Sequence, residues 1–196
     1  GQTRSALGMA RDAMAILERY QADLLGVSRG MPLFERYPNP MPLTFGRLEA
    51  GNWPASTPNR AVLEGVLGFL PNKTKEEVCA EIRQALLADG RLDPEEFDLE
   101  FTYRHDCSVV ASTDPLPQRL LAAARRAETP SAVDAMTASC DAWFYNNQLR
   151  IPTVVYGPGT LKVAHSKDEH IRIEDVARAA EVFTYLVMDF CAMEDS

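Results

Sequence analysis

Residues 61–77 read Ala-Val-Leu-Glu-Gly-Val-Leu-Gly-Phe-Leu-Pro-Asn-Lys-Thr-Lys-Glu-Glu, an apolar run followed by a polar turn. The run 61–70 is rich in branched apolar residues, which favours a strand. Thr74 precedes Glu77 by three residues, the spacing at which the two side chains cap a helix reciprocally. Apolar residues then recur at three and four positions. This stretch therefore predicts a strand, a turn and a helix over residues 75–88.

The segments on either side of that unit extend it into a small α+β domain. Residues 7–24 carry apolar side chains at helical spacing and predict an amphipathic helix. Residues 43–48 predict a strand that a loop joins to the run 61–70, so we expect these two strands to be antiparallel. Residues 97–103 alternate apolar and polar, which predicts a half-buried strand continuing towards Val110. Together these elements predict an antiparallel sheet with two helices on one face.

The pattern changes in the second half of the chain. Residues 116–127 predict a helix that Asp114 can cap. Residues 153–156, Thr-Val-Val-Tyr, predict a strand buried on both faces, as in a parallel sheet. Glu174 and Asp175 open a last amphipathic helix, where acidic residues suit the positive end of the helix dipole. One strand does not make a sheet, so we expect exposed apolar side chains here, or contacts with another chain or copy.

Composition narrows the class of protein. Of the 196 residues, 46% are hydrophobic and 24% are charged, which is ordinary for a folded protein. Twenty basic and 28 acidic residues give a net charge of −8, which disfavours a nucleic-acid partner. No apolar run approaches the roughly 20 residues that cross a bilayer, so no membrane partner is expected. The four cysteines stand far apart, which predicts reduced, partly buried thiols and a cytoplasmic location.

Nucleophilic catalysis has two weak candidates. Cys107 lies near His105, but a plain histidine at a strand end is the favoured interpretation of that pair. Ser139, Asp141 and His165 are the residue types of a hydrolytic triad. However, the sequence has no G-x-S-x-G elbow to present the serine, which disfavours the triad.

The loop before the last helix carries the most specific signal. Residues 156–170 read Tyr-Gly-Pro-Gly-Thr-Leu-Lys-Val-Ala-His-Ser-Lys-Asp-Glu-His. This string resembles the C-terminal signature of the zinc-dependent M20 family, which includes acetylornithine deacetylase and succinyl-diaminopimelate desuccinylase. Residues 139–142, Ser-Cys-Asp-Ala, match the approach to that signature, and residues 67–78 resemble a strand-to-helix turn of the family's lid domain. The resemblance extends over residues 43–190.

The resemblance implies a fold and an assembly. Residues 1–112 would be the α+β lid, which in the family is a four-stranded antiparallel sheet with two helices that also makes a homodimer. The lid's first strand would precede Gly1. Residues 113–196 would be the C-terminal segment of an α/β zinc-hydrolase catalytic domain.

The resemblance also implies a site. His165 would bind a metal ion, zinc or alternatively cobalt or manganese, in the parent enzyme. Gly157 and Gly159 would receive the carboxylate of an N-acyl amino acid or peptide substrate on backbone donors. Asp141 and Glu169 would support the loop and the helix around it. No catalytic residue is expected within this chain, since the general base would lie upstream, and the chain alone is expected to be inactive and to bind no metal.

Departures from the family pattern keep an alternative open. No histidine-x-aspartate occurs in this sequence, although the family's first metal motif has that form. Gly68 stands where many relatives carry an arginine for the substrate carboxylate. The sequence therefore predicts part of a metal-dependent amidohydrolase that removes an acyl or aminoacyl group. The alternative is a non-catalytic dimerisation or binding module.

Overall fold

The computed structural model describes residues 4–129 and 131–191, and these divide into two compact units. The first unit contains the described residues up to Cys107 together with Ala135–Ser139. The second contains Ser108–Asp134 and the described residues from Cys140 onwards. Ala135–Ser139 is held in the first unit by the Tyr37 hydroxyl, which donates to the Ala135 carbonyl at 3.0 Å.

The first unit contains four of the five regular elements that the sequence predicts. In chain order they are α1 (Ala6–Val27), β1 (Leu43–Ala50), β2 (Ala61–Leu67) and α2 (Lys75–Ala88), followed by a short 3-10 turn at Pro94–Glu96. The two strands pair antiparallel, from Leu43 opposite Leu67 to Ala50 opposite Ala61, with an irregularity between Phe45 and Arg47. The predicted antiparallel pair and both predicted helices are therefore confirmed.

The start of α2 follows from its sequence. The Thr74 hydroxyl accepts the Glu77 backbone N–H at 3.2 Å, and the Glu77 carboxylate accepts the Thr74 backbone N–H at 2.7 Å. Two amides that the helix leaves unpaired are satisfied in this way. The Thr74 hydroxyl also donates to the Glu77 carboxylate at 3.1 Å, and the hydrogen bonds that this carboxylate accepts, first from the Thr74 backbone and then from its hydroxyl, lower the pKa of Glu77.

Apolar faces of the two helices form the larger core of this unit. We call it the α1–α2 core, and its buried members are Ile16, Val78, Ile82, Leu86 and Leu92. Leu67 and Phe69, at the end of β2, pack against it. A second buried cluster consists of Leu24, Met41 and Leu70. It packs the C-terminal end of α1 against the residues just before β1. Because these faces are buried, the helical spacing of apolar residues in the sequence predicted both helices correctly.

The prediction of a strand over residues 97–103 is wrong. Phe97 and Leu99 pack against the α1–α2 core, as the alternation predicts, but the described residues give this segment no ladder of hydrogen bonds with a neighbour. Further along, Tyr103 is 62% exposed. Alternation tells which side chains face a core, whereas a strand also needs a paired backbone beside it.

The second unit is built on two helices, as predicted. They are α3 (Pro115–Arg126) and α4 (Ile173–Cys191), with a π-helical turn at Phe144–Gln148 and a 3-10 turn at Leu161–Val163. The Asp114 carboxylate caps α3 by accepting the Leu116 N–H at 3.0 Å. We call the cluster between the helices the α3–α4 core, with buried members Leu120, Ala123, Ala124, Ala127 and Val182.

The predicted strand over residues 153–156 is likewise not paired with any strand among the described residues. Val154 and Tyr156 pack against the α3–α4 core, whereas Val155 between them is 61% exposed. On α4 a further set of large apolar side chains is exposed: Ile173, Val176, Phe183, Val187, Met188 and Phe190. The expectation of exposed apolar surface in this half is confirmed.

Two further expectations concern the whole described chain. None of its helices is long and apolar enough to span a bilayer. All four cysteines are free thiols, as predicted, with Cys191 exposed and the other three half-buried.

Candidate functional site

The loop that carries the predicted site residues begins and ends on packed structure. Before it, Tyr156 packs against the α3–α4 core and sets its ring edge-on to Phe183 of α4, with centroids 5.5 Å apart. After it, α4 begins at Ile173. The residue before the loop 157–172 packs against α3 and α4, and the residue after it begins α4. Both ends of the loop are therefore anchored.

The two predicted substrate-binding glycines differ in their backbones. Gly159 has φ of +86°, a left-handed conformation that side chains other than glycine rarely adopt. A Cβ there would only touch the side chain of Ile171, at 3.6 Å, so conformation rather than space requires the glycine. At Gly157 a Cβ would meet nothing within 4 Å. Both residues are exposed, as backbone donors to a ligand must be.

A 3-10 turn leads from the glycines to the histidine. The Thr160 hydroxyl accepts the Lys162 N–H at 3.2 Å, which caps the turn Leu161–Val163. The Ala164 N–H then donates to the Leu161 carbonyl at 3.2 Å. The turn ends by placing His165 on the surface.

His165 has an unusual backbone for a residue with a side chain. Its φ is +60°, in the left-handed region, which costs about 1–2 kcal/mol for an ordinary L-residue. Its N–H donates to the Glu169 carboxylate at 3.1 Å, and the Glu169 N–H in turn donates to the Ser166 carbonyl at 3.2 Å. Glu169 thus bonds to the backbone on both sides of this turn, and its role in orienting the loop for a metal stays a prediction.

The two histidines of the loop are placed differently. His170 directs its Nδ1 at the carbonyl of Asp168, at 2.7 Å. The His165 ring is exposed and makes no hydrogen bond with any residue that the structure describes. A neutral imidazole in this state has a ring nitrogen available for a metal ion.

The described residues do not by themselves complete a metal site. Among them, no three histidine, cysteine, aspartate or glutamate side chains lie close enough together to hold an ion. Protein zinc sites use three or four protein ligands that lie close together. An imidazole suits zinc chemically, and the residues that the structure describes supply too few nearby ligands for such a site.

His105 belongs to a different environment in the first unit. Its Nδ1 shares a hydrogen bond with the Ser139 hydroxyl, and its ring packs against Tyr103 with centroids 4.8 Å apart. Ser139 is thus partnered by a histidine other than the His165 that the triad requires. The structure lends no support to a hydrolytic triad of Ser139, Asp141 and His165.

Cys107 is not an activated nucleophile. Its Sγ donates to the Phe69 carbonyl at 3.2 Å. Burial first, and then the charge of Asp106, raise the pKa of the thiol to about 12. The thiolate is the reactive form of cysteine, so a thiol with this pKa is inert at neutral pH.

Close packing of the backbone favours glycine at position 68. A Cβ at this position would lie 3.2 Å from the Cα of Met41 and 3.3 Å from the Cδ of Pro42. The Gly68 N–H also donates to the Pro42 carbonyl at 2.9 Å. The local packing therefore disfavours any larger side chain at this position.

The family follows from comparison with known proteins. The model of the peptidase family M20/M25/M40 matches residues 9–189. This chain belongs to that family. The match includes the Gly157–Gly159 turn and the His165 loop described above.

Two curated relatives are much longer than the parts that align. Over 160 residues the chain is 25% identical to the N-formyl-4-amino-5-aminomethyl-2-methylpyrimidine deformylase of Bacillus subtilis, covering 74% of this chain and 37% of that protein. Over 46 residues it is 37% identical to an uncharacterized metallohydrolase of Methanocaldococcus jannaschii, covering 24% of this chain and 13% of that protein. The chain thus spans well under half the length of either relative.

Proposed function

We propose that this chain is the C-terminal part of a metal-dependent amidohydrolase that removes an acyl or aminoacyl group from an amino-acid derivative or a peptide, as acetylornithine deacetylase does. Membership of the family M20/M25/M40 supports this assignment. So do a relative that is a metallohydrolase and one that is a deformylase of an N-formyl compound.

One observation carries the proposal, the backbone of His165. His165 is one of four described non-glycine residues in the left-handed region, with Leu33, Glu128 and Arg150, and such strain is often found at functional sites because the surrounding structure must hold it in place. Here the Glu169 carboxylate holds it, through the His165 N–H at 3.1 Å. The result is an imidazole that projects from an anchored loop with its ring nitrogens unoccupied by described residues. We assign it as a metal ligand.

The remaining residues of the loop would bind substrate. The backbones of Gly157 and Gly159 are exposed, and backbone N–H groups in such turns bind anions. We assign them to the carboxylate of the substrate. When bound, a divalent metal polarises a carbonyl and activates water. This chain's own contribution is to hold one ligand and the anion site on a single loop, while the other ligands and the general base come from elsewhere in the protein.

The domains and the assembly follow from the same proposal. The first unit would serve as the lid and join a second copy, giving a homodimer, and the second would close the catalytic domain. The exposed apolar side chains of Val155 and α4 would then pack against the rest of that domain. The protein would act on small molecules in the cytoplasm.

The test uses the full-length protein that contains this chain. Its hydrolysis of N-acetyl and N-formyl amino acids is measured with zinc or cobalt, together with its metal content. His165→Ala should lower kcat/KM by at least about 100-fold, since even residues that merely orient a metal ligand are worth about 10–100-fold. It should also lower the metal content, whereas His170→Ala should change neither.

Two outcomes would overturn the proposal. Full activity in His165→Ala would mean that the metal ligand lies elsewhere. A full-length protein without any metal-dependent hydrolysis would favour the alternative of a dimerisation or binding module. Sedimentation of the same sample tests the dimer separately, because a monomer at high concentration would contradict it.

A further inference from the structure

The backbone of Thr153, in the segment that leads into the loop 157–172, is bound by a side chain. The Thr153 N–H donates to the Oδ1 of Asn146 at 2.8 Å, and the Nδ2 of Asn146 donates to the Thr153 carbonyl at 2.8 Å. In an antiparallel ladder, a neighbouring strand exchanges these same two hydrogen bonds with one residue. The carboxamide of Asn146 therefore occupies the place of a strand neighbour at residue 153.

The π-helical turn Phe144–Gln148 brings Asn146 into this position. The Ile151 N–H donates to the Tyr145 carbonyl at 2.9 Å, so the preceding residue of the turn binds the same segment two residues earlier. Between these two contacts the chain reverses at Arg150, whose φ is +57°. The turn therefore binds one edge of the segment at two points. Turns of this wide kind are rare and are frequently found at functional sites.

The chemistry of this contact requires a carboxamide. The Thr153 N–H can only donate and its carbonyl can only accept, so the partner must offer one acceptor and one donor side by side. Asparagine carries both, whereas an ionised aspartate of the same size carries acceptors alone. The Nδ2 of Asn146 also lies 3.4 Å from the Oγ of Ser108, and all three residues belong to the second unit.

These hydrogen bonds fix the register of the segment before the loop. Val154 and Tyr156 pack against the α3–α4 core, and the residue between them points away from it. A slip by one residue would exchange the two faces of an extended segment. Because Asn146 binds the backbone of a single residue, it opposes that slip. Gly157 directly follows the segment, so Asn146 determines where the loop begins.

The influence of Asn146 should be greatest at the first part of the loop. Gly157 is four residues beyond Thr153, whereas His165 is twelve residues beyond it. The backbone of His165 has a separate support, since its N–H donates to the Glu169 carboxylate at 3.1 Å. Loosening the segment would therefore displace the glycines while the histidine keeps its own anchor.

We propose that Asn146 is a positioning residue for the anion site of the loop, given that the loop binds the substrate carboxylate as proposed. Its carboxamide holds residues 151–156 in register and so orients the backbone N–H groups of Gly157 and Gly159. Asn146 acts through the loop and touches neither substrate nor metal. Its loss should weaken substrate binding and leave the metal ligand in place.

The first test measures the order of the loop in this chain by NMR relaxation of the backbone amides. Order parameters of Gly157 and Gly159 should fall from about 0.85, typical of rigid backbone, to below about 0.6 in Asn146→Ala. The isosteric Asn146→Asp keeps the acceptor but loses the donor, so it should also loosen both glycines. Gln148→Ala, an exposed position of the same turn, is the matched control and should change nothing. The amide of Glu169 should stay rigid in all variants.

The second test uses the full-length protein with N-acetyl and N-formyl amino acids. KM should rise at least about tenfold in Asn146→Ala and in Asn146→Asp, because a misplaced backbone donor loses a hydrogen bond to a charged group. The metal content and kcat should stay within about twofold of the parent values. A purely structural role would instead reduce the amount of folded enzyme, which lowers kcat and metal content and leaves KM unchanged.

The remaining outcomes contradict the proposal. Glycines that stay rigid in both Asn146 variants would show that the carboxamide does not hold the loop. Equal loosening in Gln148→Ala would assign the effect to the turn as a whole. A fall in kcat or in metal content at constant KM would mean that Asn146 does not act on the anion site. If the full-length protein hydrolysed no amide, the proposed function would fail, whereas the NMR measurement would still decide whether Asn146 positions the two glycines.

Discussion

Glu77 at the start of α2 and Glu169 after His165 each accept a backbone N–H from a residue a few positions earlier in the chain. Glu77 receives the Thr74 N–H at 2.7 Å and Glu169 receives the His165 N–H at 3.1 Å. The first bond completes a relaxed helix cap, in which Thr74 is extended. The second holds a histidine in the left-handed region. The same local interaction thus stabilises a fold in one place and maintains strain in the other.

The difference teaches where to look for function. A cap that lowers the free energy of the folded state needs no further explanation. A strained residue lowers stability, so it persists only where its surroundings hold it, and such places are often sites. The comparison predicts that substitutions in the cap change stability, whereas substitutions in the loop change activity.

The largest effect is expected from His165→Gly. Glycine adopts the left-handed region freely, so the strain is relieved while the imidazole is lost. We expect this chain to gain up to about 1 kcal/mol in free energy of unfolding, measured with urea, after allowance for the greater freedom of unfolded glycine. In the full-length protein kcat/KM should fall at least about 100-fold. A variant that is both less stable and fully active would remove the contrast between loop and cap.

A smaller effect is expected from Glu169→Ala, which removes the acceptor for the His165 N–H. The imidazole would remain but would no longer be oriented, so metal affinity in the full-length protein should fall about 10–100-fold. Glu169→Gln retains an acceptor oxygen and should recover most of that loss. Glu174→Ala on α4 serves as the matched control and should not change metal affinity. Equal affinity in Glu169→Ala and the parent protein would show that this carboxylate does not position the histidine.

Local rules were sufficient for the elements that satisfy their own hydrogen bonds. The helix at residues 75–88 was predictable because Thr74 and Glu77 encode its start within four residues. The predictions of strands at residues 97–103 and 153–156 were wrong. A strand forms its hydrogen bonds with a neighbouring backbone, and the local sequence does not specify that neighbour. Even there, the sequence pattern correctly placed Phe97 and Leu99 against the core.

The candidate site was predictable only in part. His165 and Glu169 were found through the resemblance of their loop to a known family. The left-handed conformation of His165 had no signal in the sequence beyond the modest preference of histidine for that region. The close approach of Met41 to Gly68 was also out of reach, because it is set by the packing of two distant segments.

In the helix cap, Thr74→Ala should lower the free energy of unfolding by about 1 kcal/mol. The substitution leaves the Glu77 N–H without the hydroxyl that accepts it at 3.2 Å. Urea unfolding of this chain measures the cost, and Thr74→Ser, which keeps the hydroxyl, should restore stability to within a few tenths of a kcal/mol. Activity of the full-length protein should be unchanged. A loss of kcat/KM comparable with that of His165→Gly would mean that the cap also serves the site.

The smallest effect is a pH dependence that belongs to Glu77. Hydrogen bonds from the backbone and hydroxyl of Thr74 hold the pKa of its carboxyl below the usual value in the folded state. A depressed folded-state pKa means that the stability from this ionised group is fully present above the unfolded-state pKa of about 4.3 and is lost as the pH falls through the folded-state value. Glu77→Gln removes the titrating group but keeps an acceptor, so it should be less stable than the parent chain at pH 7. The difference between the two should shrink steadily below about pH 4. Urea midpoints measured for both chains from pH 7 to pH 3 give this difference directly, and other carboxyls cancel because both chains share them. A difference that stays constant over that range, or that grows as the pH falls, would show that the Glu77 carboxylate does not stabilise the start of α2 through its charge.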